Sequence, residues 1–261
     1  MKDITIQTEN APISSITAGP RQSNIELLRI FAMFLVLVVH ADFWSTGFPS
    51  SEDMIHNPVA TTVKTFIESI SVVCVNVFVM ISGWFGIRPT AKGFCNFLFQ
   101  CAYFLIGIYV VLLLTGQTTF SMKGVLGCLC LTDANWFIRA YAALYIISPI
   151  LNTYIENTNS VNLRNTLIFF FVFQSIWGWS GAAKFVEGGY STFSFIGLYL
   201  LARYVRLYCR NSVTRWGGVI YMTTIVLNTV WFLMGHEGAY QYCNPLVLSL
   251  IHISEPTRPY D

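Results

Sequence analysis

Seven stretches of this chain are apolar over about the length of a bilayer crossing, and that succession limits the fold more than any motif does. They run over residues 25–44, 61–87, 94–115, 135–154, 163–179, 192–207 and 216–234. A crossing needs roughly 20 predominantly apolar residues, because the hydrocarbon core is about 30 Å thick and a helix rises about 1.5 Å per residue. Inside hydrocarbon every backbone N–H and C=O must find its partner within the protein. The expected fold class is therefore all-α, a polytopic transmembrane helix bundle, with seven spans legible. Composition agrees. Of the 261 residues, 54% are hydrophobic and only 11% charged, against about 25% charged in soluble domains. The net charge of +2 is too small to suggest a nucleic-acid partner. There is no Lys/Arg run, zinc-ligand spacing or glycine-rich nucleotide loop. Residues 124–131 are apolar but too short to cross, and read as a re-entrant or interfacial turn.

Basic residues orient the bundle. Lys64, Lys123 and Lys184 fall on one side of the spans. Arg21, Arg88, Lys92, Arg164, Arg203, Arg206, Arg210 and Arg215 fall on the other. The richer side is expected to be cytoplasmic, and the N-terminus with it. Trp44, Trp136, Trp177, Trp179 and Trp231 then lie near the outer face as an aromatic belt. The seven cysteines are scattered, mostly within apolar segments, and read as small buried hydrophobes. Cys128 and Cys130 form a C-x-C pair without partner ligands, so no metal site is expected.

Residues 1–20 are polar and Ser/Thr-rich and read as a disordered cytoplasmic tail. They are not a cleavable signal, because the following apolar stretch is too long and carries internal charge. At the other end, Leu248 to Arg258 reads as a sequencing-library adapter translated in one frame. Natural sequence is then expected to end near Val247, and His252, Glu255 and Arg258 to carry no functional information. The expected organisation is a tail over 1–20, an incomplete transmembrane domain over 21–247 and foreign sequence over 248–261.

The first span carries the strongest functional signal: Glu26, Arg29 and His40. Such residues are costly at membrane depth and usually face a protein interior or a wet cavity, where they work. At about 100° per residue, Arg29 and His40 lie about 20° apart around a helix and about 16 Å apart along it, with Glu26 within roughly 60° of both. Snorkelling accounts for Arg29 near the inner face, but an imidazole is too short to snorkel. His40 has the chemistry of a general base: a neutral imidazole, with a pKa near 6.5, takes a proton from a hydroxyl as that hydroxyl attacks a carbonyl.

Three blocks in order carry a family resemblance. Arg21-x-x-Asn24-x-Glu26-Leu-Leu-Arg29-x-x-Ala32 with His40 resembles the first helix of the membrane acyltransferase 3 family. Asn76-x-Phe78-x-x-Ile81-Ser82-Gly83-Trp84-Phe85 resembles its second-helix block. Asn135-Trp136-Phe137-Ile138-Arg139-Ala140-Tyr141, running on to Tyr145 and Ser148-Pro149-Ile150-Leu151-Asn152, resembles a third. The resemblance covers about residues 21–247. Family members typically carry about ten spans, three more than are legible here. It implies an integral membrane O-acyltransferase of the bacterial inner membrane. This enzyme would move an acyl group, most often acetyl, from acyl-CoA to a hydroxyl of an extracytoplasmic polysaccharide or glycolipid.

Acyl-CoA is then a substrate, and no resident cofactor is expected. The partners are membrane lipid, the donor and the glycan acceptor. The catalytic set is His40, Arg29 and Glu26; substrate contacts are expected at Ser82, Arg88, Lys92, Arg139 and Tyr141. Arg88 and Lys92 stand where the family often has an Arg-x-x-Arg cluster, with one Arg replaced by Lys and the spacing widened to four. They serve equally as positive-inside residues. Trp136 doubles as an interface anchor. Pro149 is expected to bend its helix, with Ser148 and Asn152 bonding the freed carbonyls. Arg203, Arg206 and Arg210 form a cluster at helical spacing that the positive-inside rule accounts for by itself. The rival reading is a transporter or flippase of glycans or lipids. Carriers of that kind usually show paired halves with matching broken helices, and no internal or inverted repeat is visible.

Overall fold

The computed structural model describes residues 23–47, 49, 51–132, 135–179, 189–209 and 217–234. Among these the regular structure is all helical. Helix α1 is Ser23–Ala41, followed by the short α2 (Phe43–Thr46) and α3 (Ser51–His56). Then come α4 (Pro58–Ser71), α5 (Cys74–Phe85), α6 (Ala91–Leu114) and the short α7 (Met122–Cys128). The chain continues through α8 (Trp136–Glu156), α9 (Ser160–Trp179), α10 (Thr192–Tyr204), a π-helical turn (Val205–Cys209) and α11 (Gly217–Leu233). The tail over 1–20, Arg210, Arg215 and the segment 248–261 lie outside the described residues.

Among the described residues, three helices are long and apolar enough to cross a membrane: Ser23–Ala41, Ala91–Leu114 and the broken helix Pro58–Phe85. The other segments read as spans also fold as helices, over α8, α9, α10 and α11. The segment 192–207 does not stay regular: it changes from α to π geometry at Val205.

Residues 61–87 likewise form two helices, parted at Val72–Val73. Neither Pro nor Gly marks the break. What sustains it comes from elsewhere in the chain: the Tyr221 hydroxyl donates to the Ile70 carbonyl at 2.9 Å, and the Tyr190 hydroxyl to Val72 O at 3.5 Å. Such outside partners keep a broken helix viable in hydrocarbon.

α10 is the hub, packing on α5, α8 and α9, while α4 packs on α11 and α1. Phe195, Leu198, Tyr199 and Ala202 of α10 are almost wholly buried. Apolar burial does not by itself drive helices together in lipid; close packing does. Gly83 supplies it: a Cβ there would stand 2.8 Å from both Ala202 Cβ and Tyr199 O, closer than real contacts allow. In α8, Pro149 has no N–H for the Tyr145 carbonyl. The Ser148 hydroxyl takes that carbonyl at 2.8 Å, as the sequence predicts. Asn152 does not share this work. Its amide instead reaches Ile87 O, 65 residues away, at 2.8 Å.

Candidate functional site

α1 touches both α5 and α4, and Arg29 near its start lies over the ring of Phe85 at the end of α5. The helix therefore carries Arg29 to the last turn of α5 and His40 toward α4. The two ends of the site are best described separately.

At the His40 end, the helix places Nδ1 of the imidazole 2.8 Å from Val36 O. A carbonyl only accepts, so Nδ1 carries the proton. In a neutral ring of that tautomer the lone pair is on Nε2, the form a general base needs. His40 is exposed in the described chain. Two residues on, Asp42 sits half-buried in the turn after α1, in electrostatic contact with Lys64. Burial pushes the Asp42 carboxyl above its ordinary value, with Lys64 pulling it the other way. Lys64 also donates to Gly47 O at 2.6 Å.

Sequence reading missed Glu68 in α4. It is only 5% exposed, lies in electrostatic contact with Asp42 and Lys64, and its Oε2 finds no hydrogen-bond partner among the described residues. Its isolation in an apolar segment was the available signal.

At the Arg29 end, Arg29 Nη1 donates to Glu26 Oε1 at 3.0 Å across one helical turn, so the predicted pair forms. Both side chains are about half exposed. The Arg29 guanidinium also lies over the Phe85 ring, 5.6 Å from its centre. Arg206, in the π-helical turn, lies 5.9 Å from the centre of the same ring and 5.9 Å from that of Trp84, and donates to the Trp84 carbonyl.

The next residue, Gly86, has φ of +78°, and a Cβ there would meet Arg203 Nη1 at 3.2 Å. Arg203 Nε is buried and without a hydrogen-bond partner among the described residues.

The segment from Gly86 to Thr90 is strapped down. Ile87 N donates to Tyr199 Oη at 3.0 Å, Tyr199 Oη donates to Asn152 Oδ1 at 2.6 Å, and Asn152 Nδ2 donates to Ile87 O at 2.8 Å. This closed ring joins the strap to α8 and α10. Thr90 N is held by Tyr145 Oη at 3.1 Å, and Thr90 Oγ1 caps α6 through Gly93 N. Arg88 is exposed on the strap and Lys92 is exposed at the start of α6.

Between the ends, Ser82 Oγ and Tyr141 Oη meet at 3.0 Å, while Ser82 also bonds Phe78 O at 3.0 Å. These two predicted substrate residues are thus brought together. Arg139 is not brought to Arg88 or Lys92. It is exposed near the start of α8, in electrostatic contact with Cys130, whereas the strap meets the same helix at Asn152. Trp136 is half-buried in an aromatic cluster, with ring centres 5.2 Å from Tyr190 and 6.2 Å from Phe195.

Membrane-length helices, one of them with ionisable groups at both ends, define an integral membrane protein. A family model described as an acyltransferase domain, that of acyltransferase 3, matches residues 22–251. The chain belongs to this family of membrane acyltransferases. No curated protein and no solved structure matches it.

Proposed function

We propose that the protein is a multi-pass O-acyltransferase of the bacterial inner membrane with a cytoplasmic N-terminus. It moves an acyl group, acetyl in the simplest case, from acyl-CoA to a hydroxyl of an extracytoplasmic polysaccharide or glycolipid. The observation that supports this reading is the placement of His40: its Nδ1 is held 2.8 Å from Val36 O, on the same helix whose other end holds Glu26–Arg29. His40 accepts the acceptor hydroxyl's proton as the new C–O bond forms. The C–S bond of the thioester breaks, CoA thiolate leaves, and the imidazolium returns its proton to solvent or to that thiolate. Arg29, oriented by Glu26, serves the donor end with Arg88 and Lys92 nearby. Ser82 with Tyr141 lines the middle, and Arg139 faces the acceptor side.

The test is transfer from radiolabelled acetyl-CoA to a glycan acceptor by protein purified in detergent, where no gradient exists. His40→Ala should abolish transfer with unchanged yield and elution volume. Retained transfer by that variant would overturn the role of His40. Absence of gradient-free transfer by the unmodified protein would favour the transport reading.

A further inference from the structure

The last turn of α5 gathers more positive charge than membrane topology requires. A preference for basic residues at one face places arginines near the surface, where they extend into water. Here three of them fold inward onto three consecutive residues. Arg29 and Arg206 lie within 6 Å of the centre of one ring, Phe85, and the head of Arg203 abuts Gly86. Arg29 has Glu26 as its carboxylate; Arg203 keeps a buried Nε without a hydrogen-bond partner among the described residues. Guanidiniums gathered around one turn of backbone suit a phosphate, whose oxygens accept several N–H bonds at once. The floor is backbone: the positive φ at Gly86 strains any other residue there, and the Asn152–Tyr199 ring fixes the adjoining Ile87.

We infer that Arg29, Arg203 and Arg206 around Trp84–Gly86 form a binding site for a phosphate-bearing anion, with Asn152 and Tyr199 as positioning residues beneath it. Two sources carry that chemistry: the phosphates of the acyl donor, which rests on the function proposed above, and the headgroup of an anionic lipid. Arg203 and Arg206 reach the site from α10 and the turn after it, so the anion ties α10 to α5 and α1.

The experiment is direct binding to the full chain in neutral detergent, read by calorimetry, with CoA as probe and pantetheine as its phosphate-free counterpart. CoA should bind and pantetheine should bind at least tenfold more weakly. Arg203→Gln, whose Nε has no hydrogen-bond partner to lose among the described residues, should weaken CoA about tenfold, and Arg206→Gln at least as much. Lys123→Gln, in α7, should leave CoA binding unchanged. Tyr199→Phe should weaken CoA while speeding amide exchange of the peptide spanning Ile87, a readout that a loss of charge alone would not move.

Because Arg206 bonds Trp84, Arg206→Lys serves beside it as a variant that keeps the charge but loses the two-pronged grip; it should bind CoA intermediately. If Arg203→Gln leaves CoA binding intact but strips co-purifying phosphatidylglycerol, the anion is lipid and the donor assignment falls. If neither CoA nor phosphatidylglycerol responds to the arginine variants, the site itself is overturned. CoA binding without glycan transfer would overturn the proposed function and leave the site standing.

Discussion

Glu68 is a carboxyl-bearing residue only 5% exposed, with Oε2 lacking a hydrogen-bond partner among the described residues. A carboxylate shut away from water without full hydrogen bonding is strongly unfavourable, so Glu68→Gln should stabilise the detergent-solubilised protein by about 1 kcal/mol or more, read as a higher melting temperature. A lower melting temperature would mean that the charge itself is bonded in the fold. Asp42 gives a pH dependence. Its carboxyl is pushed up by burial, so the folded state favours the protonated form. That stability is present at acid pH and lost as pH rises through the raised pKa. Asp42→Asn should therefore match the parent near about pH 4 and exceed it in melting temperature at neutral pH; equal melting at both would refute the assignment. At this scale the sequence told much about short-range pairs and little about distant ones. Glu26 and Arg29 stand one turn apart, so spacing alone predicts their contact. Asn152 meets Ile87, and Arg203 meets Gly86, only because α5, α8 and α10 pack together, which no local spacing reports.

Among the elements, α5 and α10 depend on Gly83. Gly83→Leu should separate them and cost about 1–3 kcal/mol in thermal stability, with the Tyr199–Asn152 ring disturbed as well. Gly107, which meets nothing within 4 Å, should accept the same change at far smaller cost. Helix positions were legible to within a few residues, since apolar length sets them. The break at Val72–Val73 and the π turn at Val205 were not. Both lack Pro and Gly, and the break is held by Tyr190 and Tyr221, more than 100 residues later in the chain. Conversely Pro149, the one interior proline of α8, leaves that helix continuous over 21 residues, because Ser148 replaces the missing donor.

At the scale of the molecule, orientation has a simple assay. Cys95 is exposed near the strap, whereas Cys74 is buried in α5. A membrane-impermeant maleimide should label Cys95 in inside-out vesicles and not in spheroplasts, if the arginine-rich end faces the cytoplasm; the opposite pattern would invert the bundle. The face of α6 is unlike the rest. None of its residues is buried, and it packs on α7 and α8 alone among the stronger helix contacts.

α1 is unbroken beside a partner that breaks. Its Arg29 end rests on α5 and its His40 end beside α4, on either side of Val72–Val73. However those two helices flex about their junction, α1 acts as a ruler. The axial rise of about 16 Å between Arg29 and His40 is written into their 11-residue separation. One inserted residue in α1 would swing His40 about 100° round the axis while lengthening that rise only slightly, so direction rather than distance is what such an insertion would destroy.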